Sequence, residues 1–191
     1  MLPIRRLLDS ELDKYEQHLL ALDDNSKHLR FAYRVTDAAI IKFMQTVKDN
    51  AHLHKIFVIE NSNLDVVGVG HISIADGNME LALSVLPAYQ GKGYGHELMG
   101  RCLEWCRNRG ITNGFMVCLQ SNNTIKHLAS KHGLKMTSEY GETTADIILP
   151  EATAESYARE VFASNLAAFD HFNKSTTKFA NDTIQALIFS Y

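Results

Sequence analysis

The run Val85-Leu86-Pro87-Ala88-Tyr89-Gln90-Gly91-Lys92-Gly93-Tyr94-Gly95-His96 constrains this chain more than any other segment, because it joins a strand-like stretch to an amphipathic helix. Glycines at alternate positions let the backbone turn its N–H groups towards one point, and the helix that follows adds the positive end of its dipole. Such a nest suits a diphosphate. The residues themselves exclude two better-known phosphate loops. A Walker loop requires Ser or Thr after its lysine, whereas Lys92 is followed by Gly93, leaving no hydroxyl for magnesium. The dinucleotide fingerprint requires a small residue where His96 stands.

The chain has 191 residues, enough for one α/β domain of usual size and an appendage. A net charge of −3 without a long Lys/Arg block argues against nonspecific nucleic-acid binding, which needs a basic footprint. An amine, small or peptidyl, fits better as a partner. No stretch approaches about 18 consecutive apolar residues, and Met1-Leu2-Pro3-Ile4-Arg5-Arg6 does not open a signal peptide, so the expectation is a soluble cytoplasmic protein with no membrane contact. Cys102, Cys106 and Cys118 form no Cys-x-x-Cys pair and read as free thiols. The first two lie one helical turn apart beside Met99 and Leu103, as core residues would. No ligand set is recognisable, so no metal site is assigned.

Along the chain, strands alternate with helices. Residues 2–7 suit a first strand. Asp9 or Ser10 can cap a helix carrying Leu12, Tyr15, Leu19, Leu20 and Leu22, and Thr36 or Asp37 can start another with Ala39, Ile40, Phe43, Met44 and Val47 on one face. Residues 56–59 and 66–74 read as a hairpin, and residues 79–86 add a third strand that runs directly into the glycine loop. Leu98, Met99, Cys102, Leu103, Trp105 and Cys106 line one side of the next helix, which Gly110 can end. Residues 115–119 form a short strand, residues 125–132 a helix ended by Gly133, and residues 134–139 and 144–149 a final pair. One crossover after the glycine loop among hairpins predicts an α+β domain with a central mixed, mostly antiparallel sheet flanked by helices.

The glycine run resembles motif A of the GNAT acetyltransferase superfamily, in which a strand ends in a Val-x-Pro-like step before Gln/Arg-Gly-x-Gly-x-Gly/Ala at a helix start. Ser121-Asn122-Asn123 with Leu128 to Leu134 is similar to motif B, and Ser26-Lys27-His28-Leu29-Arg30-Phe31 resembles the Ser-x-x-x-Arg-Phe stretch of domains like the bacterial protein-lysine acetyltransferases. The resemblance covers residues 1–149 and implies a GNAT domain over 1–150, followed by a C-terminal helical extension over 151–191. It implies acetyl-CoA as co-substrate and acetyl transfer to a primary amine, on a protein lysine or a small molecule, by direct attack.

By that resemblance the amides of Gly91, Lys92, Gly93, Tyr94, Gly95 and His96 cradle the diphosphate, Gln90 sets the turn, Leu83 and Val85 lend backbone hydrogen bonds to the pantetheine arm, and Asn122 meets the cofactor. Glu80, ten residues before Gln90, stands where the subgroup carries its general base. An ammonium must lose a proton before its nitrogen attacks a thioester, and a carboxylate can take it. Many members place Tyr after the motif B leucine, but Leu128 is followed by Ala129. Tyr140, His132 or water are the substitutes, and no acid is assigned. That gap keeps open a different class, a degenerate acyl-CoA-binding regulatory module. Arg30 is open to two roles: meeting a carboxylate or an acceptor protein, or forming a structural ion pair.

Beyond residue 151, Tyr157, Val161, Phe162, Leu166, Phe169 and Phe172 recur at near-helical spacing, and Phe179, Ile184, Leu187 and Ile188 continue in a second stretch towards Phe189. One or two helices are expected. Their apolar stripe needs cover, from the chain's own core first and from a second copy otherwise.

Overall fold

Side-chain caps start helices where the sequence supplies short polar residues. Asp23 accepts from the Ser26 N–H, Thr36 from the Ala39 N–H and Asn122 from the Ile125 N–H. The computed structural model describes residues 1–188. Its helices are α1 (Leu12–Leu20), α2 (Asp24–Phe31), α3 (Asp37–Asp49), α4 (Tyr94–Arg107), α5 (Asn123–Lys131) and α6 (Ala154–Ile188). The strands are β1 (Arg5–Arg6), β2 (His54–Glu60), β3 (Val66–Ala75), β4 (Asn78–Val85), β5 (Asn113–Leu119), β6 (Lys135–Glu139) and β7 (Glu142–Ile148).

These strands form one sheet in the order β1-β2-β3-β4-β5-β7-β6, antiparallel throughout except where β4 meets β5. This is the mixed sheet expected. One face packs on α4 through Phe57, Leu81, Leu98, Met99, Cys102, Trp105 and Cys106; the other packs on α1 and α3 through Tyr15, Leu19, Ile40, Met44, Val58 and Val69. The apolar faces predicted for these helices are therefore largely the buried ones, Ala39 of α3 being exposed, and all three cysteines are free and buried.

The parallel contact sets the geometry of the site. β4 and β5 are in register only at Met79–Gly114 and Glu80–Phe115. A Cβ on Gly114 would fall on the Met79 carbonyl oxygen, so only glycine allows the strands this close. Beyond Glu80 they part. Val69 pairs with Ser84, and the Leu86 N–H donates to the Val67 carbonyl, so strand alternation turns the backbone groups of Leu83 and Val85 away from β3 and into the gap.

Two expectations need correction. No helix is read from the sequence between residue 22 and Thr36, yet Asp24–Phe31 form α2; the stretch is short and polar, so it lacks the apolar repeat that marks a longer helix, and the Asp23 cap starts it. The C-terminal stripe was expected first of all to be core. The tail is instead one continuous helix whose buried residues are Ser156, Ala163 and Ala167, while Phe162, Phe169, Phe172 and Phe179 are 63 to 74 % exposed. Phe189 lies outside the described residues.

Glu60 fixes the orientation of α6. Its buried carboxylate receives Arg5 at 2.6 and 2.9 Å, Lys14 at 3.3 Å and His171 Nδ1 at 2.7 Å, and Lys174 donates to its carbonyl oxygen. Burial alone would raise its pKa; the bonds from Arg5 and His171 and the charges of Arg5 and Lys14 together outweigh burial and hold it at about 2. A carboxyl whose folded pKa is depressed stabilises the fold fully above the unfolded value near about 4.5 and loses that contribution as pH falls towards about 2. Glu60→Gln should cost about 1–2 kcal/mol at neutral pH, since it removes a charged acceptor from half-buried Arg5, which keeps its paired bonds to Glu11. In urea titrations the gap between wild type and variant should stay constant above about pH 5 and narrow below it. A gap independent of pH would remove Glu60 as the origin.

Candidate active site

The end of β4, the start of α4, α2 and α5 enclose a cleft of about 380 Å³, lined by Leu83, Val85, Gln90, Gly91, Gly93, Tyr94, Gly95, His96 and Asn122 from the residues selected in the sequence. Gly91 and Gly93 have φ of +73° and +81°, the left-handed conformation that costs other residues about 1–2 kcal/mol. Gly93 is the N-cap of α4, with no side chain capping it, and the first helical bond in this turn runs from the Glu97 N–H to the Gly93 carbonyl. The amides of Tyr94, Gly95 and His96 are thus left to face the cleft at the positive end of the helix dipole. A Cβ on Gly95 would press Leu128 Cδ1 at 2.9 Å, so the helix start sits tightly against α5.

Gln90 ties the loop to the strand, donating from Nε2 to the Val85 carbonyl at 3.0 Å and to Ser26 Oγ at 3.4 Å. Tyr89 and Tyr94 stack with centroids 6.4 Å apart, and Lys92 lies over the Tyr89 ring at 4.8 Å rather than lining the cleft. Asn122 caps α5 across the gap. Glu80 is exposed on β4, outside the cleft lining, on the strand face that Ser84 also occupies. Tyr140 is fully exposed at the β6–β7 turn, and His132 packs against His96 with centroids 4.5 Å apart; neither lines the cleft.

The cleft's other wall carries residues the sequence did not single out. Ser84 falls between Leu83 and Val85, so strand alternation sends its side chain to the α1 face. There it meets His18: Nε2 lies 2.9 Å from Ser84 Oγ, and Nδ1 lies 3.0 Å from the Val66 carbonyl. A carbonyl only accepts, so Nδ1 carries the proton and Nε2 accepts from the Ser84 hydroxyl. Burial holds the His18 pKa down at about 4, with Arg30's charge adding to the effect, and the ring stays neutral at physiological pH. The Ser84 lone pairs are therefore free for the cleft. His18 was legible as a polar residue in the buried phase of α1, one position before Leu19.

Arg30 lines the same wall from α2. Its Nη2 donates to the Tyr15 hydroxyl at 3.0 Å and to His71 Nδ1 at 3.3 Å, and its guanidinium lies over the Phe31 ring. His71 Nε2 is 2.9 Å from His54 Nδ1. Because arginine only donates, His71 accepts at Nδ1 and passes its own proton towards His54. Burial, with the charge of Arg30, keeps the His71 pKa well below its ordinary value, so the ring remains a neutral acceptor. The ion pair considered for Arg30 is not formed among the described residues.

Comparison with known proteins agrees with this geometry. The family model described as "Acetyltransferase (GNAT) family" matches residues 10–134. No curated protein sequence matches the chain. Among solved structures, the GNAT domain of S. lividans PAT superposes with a TM-score of 0.63 at 18% identity, covering 76% of this chain and 89% of its own. Spermidine N-acetyltransferase from Vibrio cholerae, in complex with CoA and spermine, gives 0.60 at 16% identity, covering 76% and 94%. Ribosomal-protein-alanine N-acetyltransferase from Brucella melitensis gives 0.58 at 15%, covering 76% and 99%. At these identities the likeness is one of fold. With the matched domain, the glycine loop at an uncapped helix start and the parted strands, the chain belongs to the GNAT family of N-acetyltransferases, whose co-substrate is acetyl-CoA.

Proposed function

We propose that this protein binds acetyl-CoA in the cleft at the end of β4 and the start of α4 and moves its acetyl group to a primary amine by direct attack. The observation that carries the reading is the convergence of two sets of backbone groups on one cleft: the amides at the start of α4, which suit a diphosphate, and the N–H and C=O of Leu83 with the N–H of Val85, which suit an extended amide-bearing arm. The amine enters from the wall bearing Ser84 and Arg30. Its nitrogen bonds to the thioester carbon, the carbon–sulfur bond breaks, CoA departs as a thiolate, and the proton from nitrogen passes to base and solvent. A thiol with a pKa near about 8.5 leaves tolerably without a dedicated acid.

Glu80 remains the proposed base. Being exposed and outside the cleft, it takes the proton through water rather than by contact. Glu80→Gln should lower kcat at neutral pH by at least about tenfold while the affinity for acetyl-CoA, measured by calorimetry, is retained. An unchanged kcat would leave proton removal to bulk water. Binding of acetyl-CoA with no turnover of any amine would favour the regulatory-module reading.

We assign residues 1–150 to the acetyltransferase domain and residues 151–191 to a helical extension whose outward face meets a second copy of the chain. No described helix is long and apolar enough to cross a membrane. Three free cysteines suit a reducing compartment, and we place the protein in the cytoplasm.

A further inference from the structure

The wall that would receive the amine holds a cation and no anion. Among the described residues, the cleft lining includes Arg30 but no aspartate or glutamate. What touches Arg30 is neutral: the Tyr15 hydroxyl, His71 Nδ1 and the Phe31 ring. These contacts hold the guanidinium and, among the described residues, leave its charge without a carboxylate partner. A half-buried guanidinium without a counter-ion is a receptor for one, since its planar fork matches the two oxygens of a carboxylate. A polyamine entering the same space would bring further positive charge towards Arg30 and find no carboxylate on the cleft lining to balance it, Glu80 lying outside.

Ser84 supplies the complementary half. Its hydroxyl proton is committed to His18 Nε2, because His18 Nδ1 is committed to the Val66 carbonyl. On the cleft side the serine oxygen can only accept, and an amine N–H is a donor. Arg30 and Ser84 line the same cleft. Resting on the acetyltransferase reading above, we propose that the acceptor is a primary amine bearing a carboxylate, which binds with its carboxylate on Arg30 and its amine beside Ser84, and that polyamines are selected against. The carboxylate has two sources, the α-carboxylate of a free amino acid or an acidic side chain next to the amine in a peptide.

Thiol release from acetyl-CoA tests this on matched acceptors: amino acids against their amides, lysine peptides flanked by glutamate against the same peptides flanked by glutamine, and spermidine. Carboxylated acceptors should exceed their uncharged partners in kcat/KM by at least about tenfold, with spermidine lowest; which series responds more strongly names the source. Arg30→Gln should bring the carboxylate preference close to one, chiefly through KM, without weakening acetyl-CoA binding. Arg30→Lys should restore part of it, which a structural role would not do. Equal use of acid and amide, a preference for spermidine, or an equal loss on both in Arg30→Gln would overturn the assignment while leaving the acetyltransferase reading intact. If no amine turns over, binding decides it: CoA-saturated protein should bind N-acetylglutamate at least about tenfold more tightly than N-acetylputrescine, and the reverse order or no binding of either overturns it. Failure to bind acetyl-CoA at all would instead remove the reading on which the inference rests.

Discussion

Gly93→Asp is expected to abolish measurable acetyl-CoA binding, raising Kd by at least about 100-fold, or about 2.8 kcal/mol at 1.4 kcal/mol per decade. Two effects add. Gly93 sits at φ +81°, where a side chain costs about 1–2 kcal/mol unless the turn rearranges. The new carboxylate would also stand at the N-cap of α4, whose uncapped amides suit the diphosphate. A carboxylate at that point repels the anion that the nest suits. Gly93→Ala separates the two effects: it carries the conformational cost alone and should weaken binding by about tenfold. Calorimetric titration of both variants, with circular dichroism to verify folding, is the measurement. Affinity within about threefold of wild type in Gly93→Asp would mean that the diphosphate lies elsewhere.

What could be read from the sequence was what local chemistry determines. The glycine loop, the buried faces of α3 and α4, the Thr36 start and the turns at Gly110 and Gly133 depend on residues a few positions apart, and the structure places each as expected. What could not be read depends on distant partners. The opening of β4 from β5 rests on Gly114 pressing against Met79, residues that only the fold brings together. The serine–histidine pair joins α1 to β4 across 66 positions, and no spacing rule links them. Arg30 could be singled out, but its lack of a carboxylate partner could not be foreseen, because that depends on every surface packed around α2.

The C-terminal helix shows the same limit in another form. Periodicity reveals an apolar stripe, but not which face of a helix the domain will use. Here Glu60 bonds His171 and Lys174, Asn108 bonds Ser156 and Glu160, and Arg101 bonds Ser164. These polar ties, spaced at helical intervals along one side, seat the small residues Ala163 and Ala167 inward and turn the phenylalanines out.

That outward stripe leads to the expectation that the protein is a dimer which two substitutions convert to monomer. Positions 162, 165, 169, 172, 176, 179 and 183 follow steps of three and four, the a/d repeat by which one helix packs on another, and they carry Phe162, Asn165, Phe169, Phe172, Thr176, Phe179 and Thr183. The four phenylalanines alone expose about 500 Å², taking roughly 200 Å² for each full ring. With Val161, Ile184 and Leu187 the stripe approaches the roughly 800 Å² per partner of a standard interface. An aromatic surface of that size is rarely left to water in a monomer. A second copy fits it better than a lipid surface does, because this face lacks the lysines and arginines that would meet anionic headgroups, and because a self-complementary stripe closes on a two-fold axis. Phe169→Asp with Phe172→Asp should shift sedimentation from dimer to monomer at micromolar concentration. The variant should keep its thermal stability at the domain level and its affinity for acetyl-CoA, since neither residue lies in the core or lines the cleft. A wild-type protein that sediments as a monomer at every concentration would refute the second-copy assignment, and recruitment of the monomer to anionic vesicles would give the stripe to lipid instead.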